Sequence, residues 1–136
     1  MARILSIDYG GKRTGIAVTD PLKIIATGLC TVEAPKLMSF LKEYVSKEPV
    51  ELVIIGMPLN LDDTATHITP QVEKFIAAFK KHFPSLPIKE VDERYNSKLA
   101  SRAMIEMGMK KKQRRDKAMI DEIAATMMLQ EYLNKI

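Results

Sequence analysis

Cysteine is almost absent from this chain. Cys30 stands alone, so no disulfide can form within the chain. That usage suits a reducing compartment and leads us to expect the cytoplasm. Histidine is equally scarce, and His67 and His82 lack any metal-ligand spacing. A site for a soft metal built on Cys and His is therefore excluded, and any metal must be held by oxygen. His82 reads as a helix-end residue. Long apolar runs are missing too. The longest, around residues 52–55, is far too short to cross a bilayer, so no membrane partner is expected. The first apolar run meets Asp8 within a few residues, which does not fit a signal peptide. There is no low-complexity linker and no internal repeat. What remains is 136 residues, 46% of them hydrophobic, enough for one domain over 1–136 with a real core.

Charge is present but unevenly placed. The formal net charge is +4. Lys110, Lys111, Lys112, Arg114, Arg115 and Lys117 lie within eight positions, opposed only by Asp116, and the rest of the chain carries a net −1. One local patch thus accounts for the basicity. It suits nucleic-acid phosphates or an acidic partner; the alternative is a solvated loop that aids solubility.

Periodicity gives the order of elements. Residues 3–8 and 14–19 read as a hairpin, Asp20-Pro21 as a turn, and 24–32 as a third strand. Pro35 opens a helix to about residue 47, with Leu37, Met38, Leu41, Tyr44 and Val45 inward. The unbroken Leu-Val-Ile-Ile run of a fourth strand, 51–56, predicts burial on both faces, as in a parallel strand. A polar loop over 58–69 leads to a helix over 70–82, striped with Val72, Phe75, Ile76 and Phe79. A short fifth strand spans 88–91. A helix over 97–107 stops at Gly108, and a last helix runs from 117 to 133. The order predicts an α/β domain with a mixed five-stranded sheet. Its first three strands are antiparallel, and the fourth and fifth, each reached through a helix, run parallel to the first.

Three carboxylates stand out against that frame. Asp8 ends the first strand beside the glycine-rich turn 10–12, where backbone can approach a phosphate closely. It reads as a metal ligand or as a turn cap. Asp92-Glu93-Arg94 follows the fifth strand. If strands one, four and five are parallel, Asp8 and Glu93 share the edge where open α/β sheets bind ligands. Arg94 can pair with Glu93 or meet a phosphate, and an exposed self-paired strand end is the alternative. Asp121 shares the packed side of the last helix with Ala124, Ala125, Met128 and Tyr132. There a carboxylate needs a metal or a strong hydrogen-bond set, unless it merely complements the helix dipole from the first turn. Together the three resemble the acidic clamp of nucleases, which hold two hard ions about 3.5–4 Å apart. Mg²⁺ or Mn²⁺ suits such ligands.

These segments resemble a known family. Ile7-Asp8-Tyr9-Gly10-Gly11-Lys12-Arg13-Thr14-Gly15-Ile16-Ala17-Val18-Thr19-Asp20-Pro21 looks like the opening motif of the YqgF/RuvX proteins. Gly56-Met57-Pro58-Leu59-Asn60, Asp92-Glu93-Arg94 and Ile120-Asp121-Glu122-Ile123-Ala124-Ala125 follow in the family's order and cover nearly the whole chain. The resemblance implies a ribonuclease H-like fold related to the RuvC-type Holliday-junction resolvases. It implies a bacterial cytoplasmic nuclease that trims the 5′ end of precursor 16S rRNA, with Asp8, Glu93 and Asp121 as its acids and Mg²⁺ or Mn²⁺ as its ion. Lys12, Arg13, Asn60, Arg94, Lys111, Lys112, Arg114 and Arg115 are the expected nucleic-acid contacts. Two positions depart from the family pattern: Asp63, where a glycine is usual, and Gly11, where a small hydroxyl residue is more common.

Structured RNA is thus the expected partner, and branched DNA the alternative. A junction resolvase normally acts as a symmetric dimer. No extended apolar stripe demands one here, so a monomer or weak homodimer is expected. A non-catalytic RNA-binding assembly factor is a third reading, which retention of all three acids opposes. Phosphotransfer of the actin-like kind closes two such domains over a nucleotide, and 136 residues leave room for one.

Overall fold

The computed structural model describes residues 2–9, 13–57, 69–92 and 117–135. The elements are β1 (Arg3–Tyr9), β2 (Arg13–Thr19), β3 (Ala26–Glu33), a 3₁₀ turn (Ala34–Lys36), α1 (Leu37–Lys47), β4 (Val50–Met57), α2 (Thr69–His82), β5 (Ile88–Asp92) and α3 (Lys117–Lys135). The expected helix over 97–107, the basic segment 110–116 and the loop 58–68 with His67 lie outside the described residues. The five strands form one sheet in the order β3-β2-β1-β4-β5. β1 pairs antiparallel with β2 and parallel with β4, and β4 pairs parallel with β5. The expected mixed sheet is therefore the observed one.

Alternation along β1 divides the core in two. Leu5 and Ile7 face one side, with Ile16 and Val18 of β2 and Val53 and Ile55 of β4. Leu37 and Leu41 of α1 and Val72, Phe75, Ile76 and Phe79 of α2 cover them. The expected stripe of α2 is thus wholly buried, whereas α1 buries Leu37 and Leu41 fully but Met38, Tyr44 and Val45 only in part. Ile4 faces the other side with Ala17 and Ile54, beneath Ala125 and Leu129 of α3. Both faces of β4 are occupied, which explains the unbroken apolar run of that strand.

Two boundaries differ from expectation for identifiable reasons. β3 begins at Ala26 rather than Ile24, because the side chain of Asp20 claims the preceding backbone. Its carboxylate accepts from the amides of Leu22 at 3.2 Å, Ile24 at 2.7 Å and Ile25 at 2.8 Å, and Lys23 sits at φ 59°. Leu22, Ile24 and Ile25 are consequently exposed at the tip. Thr69 is the first residue of α2 and is buried, rather than ending a polar loop.

The amide of Ile25 does most to hold the Asp20 carboxyl below its ordinary value; desolvation opposes it, and the amides of Ile24, Asp20 itself and Leu22 add to the lowering. A lowered folded-state value means that its contribution is full above the ordinary 3.8 and is lost as the pH falls through the lowered value. The protection factors of the Ile24 and Ile25 amides, exchange measured relative to the intrinsic rate at each pH, are therefore expected to fall selectively on acidification through that range. Asp20→Asn should show the lower protection already at neutral pH.

Candidate functional site

The parallel strands end together. Ile7 lies beside Ile55, Ile55 beside Glu90, Gly56 beside Val91, and Met57 beside Asp92. The carboxyl ends of β1, β4 and β5 thus form one edge, with Asp8 at the end of β1. Asp8 is paired with Gly15 inside the strand ladder, so it is a strand residue and not part of the turn itself. Cross-strand partners point to the same face of a sheet. Ser6, two residues before Asp8, donates its hydroxyl to the carbonyl of Ala125 at 2.7 Å. The Asp8 side chain therefore belongs to the α3 face of the sheet.

Gly15 is what brings α3 down onto that face. A Cβ placed there would lie 2.0 Å from the carbonyl oxygen of Asp121, 2.3 Å from its carbonyl carbon and 2.9 Å from the amide nitrogen of Glu122. Only the absence of a side chain allows this approach. Ala17 and Ala125 continue the close packing one turn further along the helix. Asp8 and Asp121 consequently flank the same glycine, one from the neighbouring strand and one from the helix above. They are 113 positions apart in sequence, yet they share one corner of the sheet.

Asp121 is half-buried and is not a first-turn residue. The first turn of α3 carries no acid. This corrects the helix-dipole alternative: the carboxylate lies one turn in, too far along for that role. It has a cation instead. Nε of Arg13 donates to Oδ2 of Asp121 at 3.3 Å. Arg13 opens β2, two residues before Gly15, and so projects from the same sheet face. Sequence reading assigned Arg13 to nucleic acid and missed this ion pair, because nothing in a linear pattern reports which residues meet across the sheet.

The remaining expected residues divide simply. Glu93 directly follows the last residue of β5 and, with Lys12, Asn60, Arg94, Lys111, Lys112, Arg114 and Arg115, lies outside the described residues. Among the described residues no three of Asp, Glu, His and Cys form a metal-sized cluster. Cys30 packs with the core on the α1–α2 side of the sheet. Burial, and then the charge of Glu122, push its thiol above the ordinary value, so it is not a thiolate at neutral pH. The chemistry available on the α3 face is that of hard oxygen donors and an arginine.

A family model described as RuvX, Holliday junction resolvase, matches residues 2–135. A protein of Christiangramia forsetii, named as a candidate pre-16S rRNA nuclease, is 53% identical over 133 residues, 98% of each chain. One of Bacteroides thetaiotaomicron with the same name is also 53% identical, over 98% of this chain and 96% of its own. Among solved structures, RuvC of T. thermophilus in complex with a Holliday junction substrate superposes with a TM-score of 0.54 at 15% identity, covering 99% of this chain and 95% of that one. That likeness shows the fold, which is ribonuclease H-like. Among the described residues no helix is long and apolar enough to cross a membrane.

Proposed function

Because the chain belongs to the RuvX family, we propose that it is a metal-dependent nuclease that trims the 5′ end of precursor 16S rRNA. The observation that carries this reading is that Asp8 pairs with Gly15 in the β1–β2 ladder while the backbone of Asp121 rests on that same glycine, at the carboxyl edge of the sheet. Glu93 completes the proposed set. Lys89 and Val91 of β5 pair with Ile54 and Gly56 of β4. Lys89 lies over the Tyr132 ring of α3 at 5.3 Å, and Val91 packs with the α3 cluster. β5 ends one residue before Glu93, at the same edge of the sheet as the end of β1. With β4 between them, β1 and β5 are about 10 Å apart. Glu93 is proposed to reach the shared ion from the end of that farther strand.

The donor set fits Mg²⁺ or Mn²⁺, since it offers carboxylate oxygens and keeps Cys30 on the opposite face. When bound, such an ion supplies Lewis-acid stabilisation of the phosphodiester transition state. The chain's own residues do the rest. Asp8 is fixed by the β1–β2 ladder, Asp121 by the helix docked on Gly15, and Arg13 by the opening of β2. A site built on strands and a docked helix is held more rigidly than one built on loops. Lys12, Asn60 and Arg94 are proposed to contact the substrate backbone, and the cytoplasm is the proposed compartment.

The test is cleavage of precursor 16S rRNA and of a synthetic four-way DNA junction, each with Mg²⁺, with Mn²⁺ and with EDTA. Metal-dependent cutting of the RNA is expected. Cutting of the junction alone would assign the family's resolvase activity instead. Cleavage of neither, with RNA bound, would make the chain an assembly factor.

Lys111, Lys112, Arg114 and Arg115 are proposed to add affinity that does not depend on sequence, through displaced counterions. Replacing all four with glutamine should weaken RNA binding. Each lost phosphate contact should flatten the slope of log affinity against log salt by roughly 0.7–0.9. RNA affinity measured across a salt series checks this, and an unchanged slope would leave the segment as a solvated loop.

A further inference from the structure

We propose that Arg13 is an exchangeable counterion, neutralising Asp121 when no metal is bound and turning to a substrate phosphate when a metal takes its place. The inference rests on the metal-dependent reading above and adds a role for Arg13 within it. Three observations support it. First, the pair is single-pronged. Nε alone donates, at 3.3 Å, whereas a firm arginine–carboxylate pair is a fork with two bonds of about 2.7–2.9 Å. Second, the pair is wet: the two side chains remain 37% and 27% exposed. Such pairs are weak and easily replaced. Third, position is already correct. Arg13 sits on the same sheet face as Gly15, whose cross-strand partner is Asp8. Releasing Asp121 leaves a permanent cation at the same corner, where a phosphodiester must come to be cut.

Both ends of the exchange have consequences. A guanidinium on Asp121 competes with the metal, so the folded chain binds its ion less tightly than its carboxylates alone would allow. A metal on Asp121 frees the guanidinium, so metal and nucleic acid favour each other's binding, and the coupling is reciprocal. Arg13 is thus a positioning residue for Asp121 in one state and a substrate contact in the other. A lysine would keep the charge but not the directional Nε donor.

Two measurements test this without reading turnover. In the first, Mg²⁺ alone is titrated calorimetrically into the wild type, Arg13→Gln and Arg13→Lys, with circular dichroism confirming that each is folded. Arg13→Gln should bind Mg²⁺ about 3- to 10-fold more tightly, and Arg13→Lys close to wild type. In the second, a fragment of precursor 16S rRNA is bound in EDTA. Asp121→Asn should tighten binding, and most of that gain should vanish in the Arg13→Gln/Asp121→Asn double variant. A double-mutant cycle separates release of Arg13 from simple loss of a negative charge. If the wild type binds Mg²⁺ but Arg13→Gln binds it equally or more weakly, the exchange is wrong and the metal site stands. Additive effects in the cycle would also overturn the exchange. If the wild type binds no Mg²⁺ at all, the metal-dependent reading fails and this role fails with it.

Discussion

Asp8→Asn, Glu93→Gln and Asp121→Asn should each lower the cleavage rate at saturating Mg²⁺ by at least about a hundredfold while leaving the chain folded. Losing a metal ligand removes transition-state charge stabilisation of several kcal/mol, and each 1.36 kcal/mol is about a factor of ten in rate. The variants should differ in one further respect. Asp121→Asn also removes the partner of Arg13 and should lower the metal-free melting temperature slightly, as loss of a solvated ion pair of about 0.2–1 kcal/mol would. Single-turnover cleavage and calorimetric melting on the same preparations separate the two effects. A wild-type rate for Asp121→Asn would remove its carboxylate from the site.

Gly15→Ala should damage both stability and activity, although it touches no charge. The added methyl group would lie 2.0 Å from a backbone carbonyl oxygen, where ordinary contact begins near 3.4 Å. A backbone cannot swing aside as a side chain can, so α3 must lift by more than 1 Å along its length. Overpacking a tight core costs about 1–3 kcal/mol and occasionally more. At this site we expect the upper end, about 3 kcal/mol, which is roughly 10 °C in melting temperature for a chain of this size. The lifted helix carries Asp121 away from Asp8, so metal affinity should fall as well. Gly28→Ala is the internal control. Its new methyl group meets the side chain of Glu122, with Oε1 at 2.5 Å, Cγ at 2.8 Å and Cδ at 3.1 Å, which can swing aside as a backbone cannot. That variant should be near wild type in melting and in cleavage. Equal damage from both substitutions would show that glycine at these positions serves the strands and not the helix.

Much of this was legible in the sequence because the patterns are physical. The both-faced burial of β4 showed in its unbroken Leu-Val-Ile-Ile run, and the stripe of α2 in the spacing of Val72, Phe75, Ile76 and Phe79. Parallel order followed from intervening helices, and parallel order alone puts the ends of β1, β4 and β5 on one edge. The start of β3 was misjudged because Ile24 and Ile25 look like strand residues, while three hydrogen bonds to one carboxylate make them a turn. The Arg13–Asp121 pair was invisible for a different reason. It depends on how deeply the helix settles on the sheet, and that depth is set by Gly15, which in a linear reading looked like one more glycine of the opening motif. Glycine carries no pattern, yet here it decides which charges meet.

The docking of α3 also dictates an order of events. Asp8 is made 113 positions before Asp121, and the helix that joins them leans on β1, β2 and β3 at once. Until α3 docks, Ile4, Ala17 and Ile54 lack the cover of Ala125 and Leu129. On the proposed reading, Asp8 and Asp121 come to one corner only when α3 seals that face. Chains in which α3 has not docked would then be expected to be inactive, and to be the form most prone to stick together through that apolar face.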